Sequence, residues 1–350
     1  MSGPTEQRPA RRLVVFGVTG HLGQELVERL ADADWPIADL VGVASAESAG
    51  STFDFRGEPL DVAAEWPVLK GCDLVFICTR AAEALEIVRE ALRAGVPCID
   101  CTGALVGRTE VPMVVALGAP GEEEEGLAEA PLLALPSSTT LAWAPVLSAL
   151  VDSVGVSRVV ATLLSSASAQ GRRGLVSLSE ESIALFNQSQ PPVPGPAGQA
   201  VAFDVIPGGG VDADRVRAEL ARLFDGAFGL AVATVQVPTF VGEGASLCLE
   251  LAAPLERAAL EARLEAQAGV QVVSEGLGSR GLVAVEEDGV EPFGPTLRDA
   301  AGSEAVLVGR IEADPSQPVG QGWRIWLASD PLQLAAEHAL RLAARRLGLA

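Results

Sequence analysis

Arg12-Leu13-Val14-Val15-Phe16-Gly17-Val18-Thr19-Gly20-His21-Leu22-Gly23 is an apolar run that breaks into a glycine-spaced turn. Its first six residues read as a buried β-strand, and Gln24 to Ala33 behind it reads as a helix. The spacing Gly17-x-Thr19-Gly20-x-x-Gly23 carries meaning because it joins a strand to a helix. Gly17 permits the tight turn. The middle of the turn lets the backbone approach a pyrophosphate, and the helix N-terminus offers free N–H groups to the anion. Gly17, Thr19, Gly20, His21, Leu22 and Gly23 are therefore candidate dinucleotide-binding residues. The same glycines also serve close strand–helix packing, so the turn alone does not separate a working site from a structural one.

Working outward, strands and helices alternate. Leu40 to Ala44 and Cys72 to Cys78 read as strands, and Ala81 to Ala94 as an amphipathic helix ending at a Gly95 C-cap. Val96 to Cys101 and Pro131 to Leu135 follow as strands. This alternation predicts a Rossmann-type, doubly wound parallel sheet. The frame Pro136-Ser137-Ser138-Thr139-Thr140 opens an apolar helix, Leu141 to Val151. Ser138-Thr139 are residue types that cap helices well.

Beyond it the pattern changes. Helices are expected at Gly174 to Phe186, Asp212 to Phe224 and Pro254 to Ala268. Strands are expected at Arg158 to Leu164, Leu230 to Val241, Ala245 to Ala252, Val270 to Ser274, Ala305 to Ala313 and Trp323 to Leu327. The third and second of these read as neighbours joined by a turn at Gly242-Glu243-Gly244. Together they predict an α+β domain on a largely antiparallel sheet. The last helix, Leu332 to Leu347, starts behind Asp330-Pro331, an N-cap followed by proline at N1. The expected division is 1–137, 138–330, and a C-terminal helix, 331–350.

A chain of 350 residues with a formal net charge of -21 repels phosphate backbones and anionic membranes, so no nucleic-acid or membrane partner is expected. No apolar run reaches the roughly 18 residues of a membrane span. Nothing at the N-terminus reads as a signal peptide, Met1 to Pro9 reads as a polar tail, and a soluble cytoplasmic protein is expected. Glu122 to Glu125 reads as a loop tip and Pro191 to Gly198 as a Pro/Gly-rich loop. The five cysteines fit reduced core thiols. Cys98 and Cys101 point to opposite faces of a strand, which argues against a shared metal or disulfide. There are only two histidines, His21 and His338, which limits acid–base chemistry. Past the second strand, Glu47 would repel the 2'-phosphate of NADP and accept from the free 2'-hydroxyl of NAD, or is simply a solvated loop glutamate.

The ordered set of motifs resembles the aspartate-semialdehyde dehydrogenase family over nearly the whole chain. It comprises the glycine turn, Ser48-Ala49-Gly50, Ile99-Asp100, Val111-Pro112, Pro136 to Thr140, Gly171 to Gly174, Ala202 to Pro207, Val237-Pro238, Val308-Gly309-Arg310-Ile311 and Asp330. The resemblance implies NAD or NADP as cofactor, with Ser48 at the dinucleotide site, pairing into a homodimer through the second domain, and a C-terminal helix, 331–350, that packs back on the first domain. It also assigns chemistry to positions where this chain departs from the pattern. The cysteine nucleophile falls on Ser138, the acid–base histidine on Glu243, the substrate arginine on Gln236 and a glutamine on Ala167. A phosphate-contacting arginine falls on Val106, near Arg108, and an asparagine on Pro331. The departures resemble the Usg-type homologues, which keep the fold without the catalytic set. The resemblance thus implies a non-catalytic paralogue with a binding or regulatory role. The alternatives are an active NAD(P)-linked oxidoreductase of amino-acid biosynthesis with altered chemistry, and a structural dimer partner of an active paralogue.

Overall fold

The computed structural model describes residues 10–48, 50–116, 129–190, 195, 198–273 and 294–349. Met1 to Pro9, the acidic run Glu122 to Glu125 and most of the Pro191 to Gly198 loop lie outside these. The chain divides into two compact units, Met1–Pro136 with Ala335–Ala350, and Ser137–Leu334. Among the described residues no helix is long and apolar enough to cross a membrane.

The first unit runs β1 Arg11–Phe16, α1 His21–Asp32, β2 Ile37–Val43, β3 Thr52–Phe55, β4 Glu58–Asp61, β5 Leu74–Ile77, α2 Ala81–Ala94, β6 Cys98–Asp100 and β7 Leu132–Ala134. Five of these strands form a parallel sheet in the order β2-β1-β5-β6-β7. This is a Rossmann-like arrangement. A parallel sheet is buried on both faces, so its strands are continuous apolar runs rather than alternating ones. Leu13, Val14 and Val15 of β1 and all four residues of β5 are fully buried. Gly95 ends α2 in the left-handed region at φ 70°, where its N–H reaches the carbonyls of Ala91 and Leu92.

Two features depart from expectation. Helix α1 starts at His21 rather than Gln24, because Gly20 is itself the N-cap and its carbonyl accepts from Gln24 N at 2.9 Å. Leu22 and Gly23 therefore lie in the first helical turn. The hairpin β3–β4 is a separate two-stranded sheet whose polar alternation gave no strand reading. Residues Ala335–Ala350 are tied into this unit by polar contacts. Arg29 bridges Glu25 at 3.0 Å and Glu337 at 2.7 Å, and Arg11 donates to the Leu347 carbonyl at 3.0 Å.

The second unit runs α3 Ser138–Val151, β8 Val156–Ser165, α4 Gly171–Phe186, β9 Ile206–Pro207, α5 Ala213–Leu223, β10 Gly229–Gln236, β11 Glu243–Leu251, α6 Arg257–Glu265, β12 Val270–Val272, α7 Leu297–Ala300, β13 Val306–Ala313, β14 Gly322–Ser329 and α8 Pro331–Leu347. Only the first residues of α8 belong to this unit. The seven-stranded sheet has the order β12-β13-β14-β11-β8-β10-β9 and is largely antiparallel, with β8–β10 and β12–β13 parallel. Val159, Ala161 and Leu163 of β8 share one core with Trp143, Val146 and Leu150 of α3, Leu220 of α5 and Leu260 of α6. That core covers one sheet face.

The expected pairing of the second and third strands is wrong. Strand β8 lies between β10 and β11, parallel to one and antiparallel to the other. A tight turn joins only antiparallel neighbours. The segment around Gly242 is therefore a crossover, and Glu243 is the first residue of β11 rather than part of a turn.

Candidate functional site

At one end of the second unit's sheet, three strands bring polar side chains to the helix-covered face. Ser165 ends β8, Gln236 ends β10 and Glu243 begins β11. Ser165 stands in register with both of the others. All three are buried. Four polar atoms here have no hydrogen-bond partner among the described residues: Thr139 Oγ1, Ser165 Oγ, Gln236 Nε2 and Thr239 Oγ1. Each such atom costs about 1–3 kcal/mol, so a group of them needs an explanation beyond packing. Gln236 Oε1 accepts from Gln170 Nε2 at 3.0 Å, which points the amide nitrogen the other way. Gly210 packs so tightly that a Cβ there would strike Ser165 Oγ.

Glu243 is the ionisable member. Burial pushes its carboxyl up to about 7, against a smaller opposing effect of the neighbouring Thr139 hydroxyl. It is therefore a weak acid that exchanges its proton near neutrality. The hydroxyl that influences it is that of Thr139, whose Oγ1 nonetheless stays outside hydrogen-bonding geometry.

The N-terminus of α3 faces a different network. Its N-cap is Ser137, not Ser138 or Thr139 as the residue types implied. Ser137 Oγ accepts from Thr140 N at 3.4 Å and donates to the buried Glu219 carboxylate at 2.5 Å. Glu219 also accepts from Ser137 N at 2.9 Å, Thr140 Oγ1 at 2.6 Å and Arg215 Nε at 2.7 Å. This buried acid clamps the start of α3 to α5, and no sequence pattern had singled it out. Ser138 is the first helical residue, half-buried, and stands outside this network. Ala167 is an apolar core residue packed with Leu178 and Ile206. The polar groups beside it are Ser165 and Ser166, which the sequence reading missed.

In the first unit the glycine turn lines a groove of about 550 Å³, within the size range of small-molecule sites. Gly17, Thr19, Gly20, Ser45, Ala46, Trp66, Cys78 and Arg80 contribute to its walls. Gly17 sits at φ 85° and a Cβ there would strike the Cys78 carbonyl; a Cβ at Gly23 would strike the Gly17 carbonyl. Both glycines are thus required by packing. Helix α1 has no acidic residue in its first turn and no side-chain cap, so its N–H groups remain available to an anion. His21, Leu22, Gly23, Glu47 and Ser48 are not wall residues. Ser48 reaches the turn through Thr19, with Oγ atoms 3.3 Å apart. Glu47 is exposed on the short 3-10 turn Ala46–Ser48, next to the wall residue Ala46.

The remaining candidates scatter. Val106 is buried, and Arg108 is exposed and paired with Glu110 at 3.4 Å. Both histidines belong to the first unit, His21 opening α1 and His338 buried in α8. Pro331 follows Asp330, whose Oδ1 accepts from Leu332 N at 3.0 Å and Gln333 N at 3.3 Å. Among the described residues no group of three or more His, Cys, Asp or Glu side chains could hold a metal ion.

Comparison with known proteins places this geometry. Residues 12–125 match the sequence model of the semialdehyde dehydrogenase NAD binding domain, and residues 147–333 that of the semialdehyde dehydrogenase dimerisation domain. An aspartate-semialdehyde dehydrogenase of Synechocystis sp. is 28% identical over 348 residues, covering 95% of this chain and 96% of that protein. A USG-1 protein homolog of Pseudomonas aeruginosa is 28% identical over 334 residues, covering 93% and 94%. The crystal structure of aspartate semialdehyde dehydrogenase II from Vibrio cholerae superposes with a TM-score of 0.83 at 25% identity, covering 96% of this chain and 98% of that one.

Proposed function

The chain belongs to the semialdehyde dehydrogenase family, and from that premise we propose that it is a non-catalytic, aspartate-semialdehyde-dehydrogenase-like protein that acts by binding. The observation that carries this reading is the set of side chains at the chemical positions. Ser138 stands where the resemblance places the thiol, Gln236 where it places the arginine and Glu243 where it places the histidine. A hydroxyl attacks a carbonyl only with an adjacent base, and Glu243 is influenced by Thr139 instead. Gln236 is bonded to Gln170 and brings no cation to a carboxylate or phosphate. In an assay with aspartate semialdehyde, phosphate and either NAD or NADP, only background oxidation is expected. Turnover at ordinary dehydrogenase rates that disappears in Ser138→Ala would overturn the reading.

The groove of the first unit fits a dinucleotide, with the α1 N-terminus and the backbone of Gly17 to Gly20 holding the pyrophosphate. The bound group would supply a hydride acceptor. NAD is favoured over NADP because Glu47 flanks the groove where a 2'-phosphate needs a cation. Calorimetry should give the tighter binding to NAD, and Glu47→Arg should narrow or reverse the preference. Equal affinities in the unmodified protein remove Glu47 from the argument.

One observation supports a second reading, an oxidoreductase with altered chemistry: a buried carboxyl that titrates at about 7 is suited to general acid–base work. Dinucleotide-dependent turnover of any aldehyde that is lost in Glu243→Gln would favour it. If no dinucleotide binds at all, the role of structural partner to an active paralogue is left.

A further inference from the structure

Cys78 follows the last residue of β5 and Cys101 follows the last residue of β6, two neighbouring parallel strands. The register pairs Ile77 with Asp100, and Cys101 N donates to the Ile77 carbonyl at 3.0 Å. The two cysteines are thus the next level of the same ladder, with side chains on the same side. Neighbouring strands lie roughly 4.8 Å apart, inside the Cα separations of roughly 4.4–6.8 Å that a disulfide spans. Cys78 is also a wall residue of the groove, open to small solutes. The other cysteines are placed differently. Cys72 faces the Val68 carbonyl, Cys98 faces the Pro131 carbonyl, and Cys248 lies in β11 of the second unit.

We infer that Cys78 and Cys101 form a dithiol that peroxide closes to a reversible disulfide at the floor of the first unit's groove. In the first step the Cys78 sulfur attacks the O–O bond of hydrogen peroxide. The sulfur becomes a sulfenic acid and water leaves. In the second step the Cys101 sulfur attacks the Cys78 sulfur, the S–S bond forms and the hydroxyl leaves as a second water. The two sulfurs lose two electrons and the peroxide oxygens gain them. In the reduced protein the Cys78 thiol, together with burial, holds the Cys101 thiol well above its ordinary range, and burial still raises it once Cys78 is oxidised. The second step is therefore slow at neutral pH and faster in alkali. A dinucleotide in the groove would cover Cys78 and slow the first step, so the thiols are followed in dinucleotide-free protein.

Reduced protein treated with hydrogen peroxide, denatured and titrated for thiols should fall from five free thiols to three. Digestion without reductant should yield one cross-linked peptide joining Cys78 to Cys101. Dithiothreitol should restore all five thiols, and closure should accelerate between pH 7 and pH 9. Cys78→Ser and Cys101→Ser should each give no intramolecular link. Persistence of five thiols would overturn the inference, as would oxidation of Cys78 to a sulfinic acid without linkage, or a link through any other cysteine.

Discussion

Glu243 enters β11 with its carboxyl shut away from water, and the cost of ionising it there is a statement about stability. A glutamate titrates near 4.5 when exposed and at about 7 here. Between those values the folded protein holds more protons than the unfolded chain, so stability falls as pH rises through that window. The contribution is whole below about pH 4.5 and lost above about pH 7, a swing on the order of 3 kcal/mol. Glu243→Gln has no such proton. Urea midpoints of the two proteins compared at pH 4.5 and pH 8 should therefore diverge, the unmodified protein losing ground to the variant. Parallel midpoints would show that the folded carboxyl is not raised.

At the scale of elements, the start of α3 decides what its side chains can do. Residue types alone favour Ser138-Thr139 as the cap, yet serine and threonine fill every position from 137 to 140, so composition does not choose among them. Glu219 chooses, because one buried carboxylate collects the Ser137 N–H, the Ser137 hydroxyl and the Thr140 hydroxyl. Ser137→Ala removes both the cap and a donor to a buried charge, and should cost about 1–2 kcal/mol in denaturant unfolding. Ser138→Ala, outside that network, should stay within about 0.5 kcal/mol. The reverse order of costs would return the cap to Ser138.

At the scale of the whole molecule, the second unit leaves apolar surface uncovered. Phe186 and Phe203 are 77% and 66% exposed and meet edge to face at 5.5 Å. Ile183 and Val205 are exposed as well, and Val160 and Leu164 occupy the face of β8 that alternates away from the helices. A highly charged chain does not keep such surface in water without use. A homodimer through one self-complementary face of this unit is the expected assembly. Light scattering at micromolar concentration should give twice the chain mass of 36.0 kDa, and Phe186→Asp should shift it toward the monomer. A monomer in the unmodified protein would rule out both the dimer and a role as assembly partner.

By itself the sequence determined the elements whose burial is total or whose punctuation is local. The strands around β1 and β5 are legible because a parallel sheet buries both faces and leaves unbroken apolar runs. The ends of α2 and α8 are legible because Gly95 and Asp330-Pro331 act within a turn of their own helices. Only the tertiary structure decided which strand separates β10 from β11, since a strand inserted from elsewhere in the chain leaves no mark at the turn it passes. It alone placed Glu219 against Ser137, 82 residues away. It alone brought Ser165, Gln236 and Glu243 to one buried strand end. A pattern read along the chain reports what each residue prefers, and these pairings depend on residues that only folding makes neighbours.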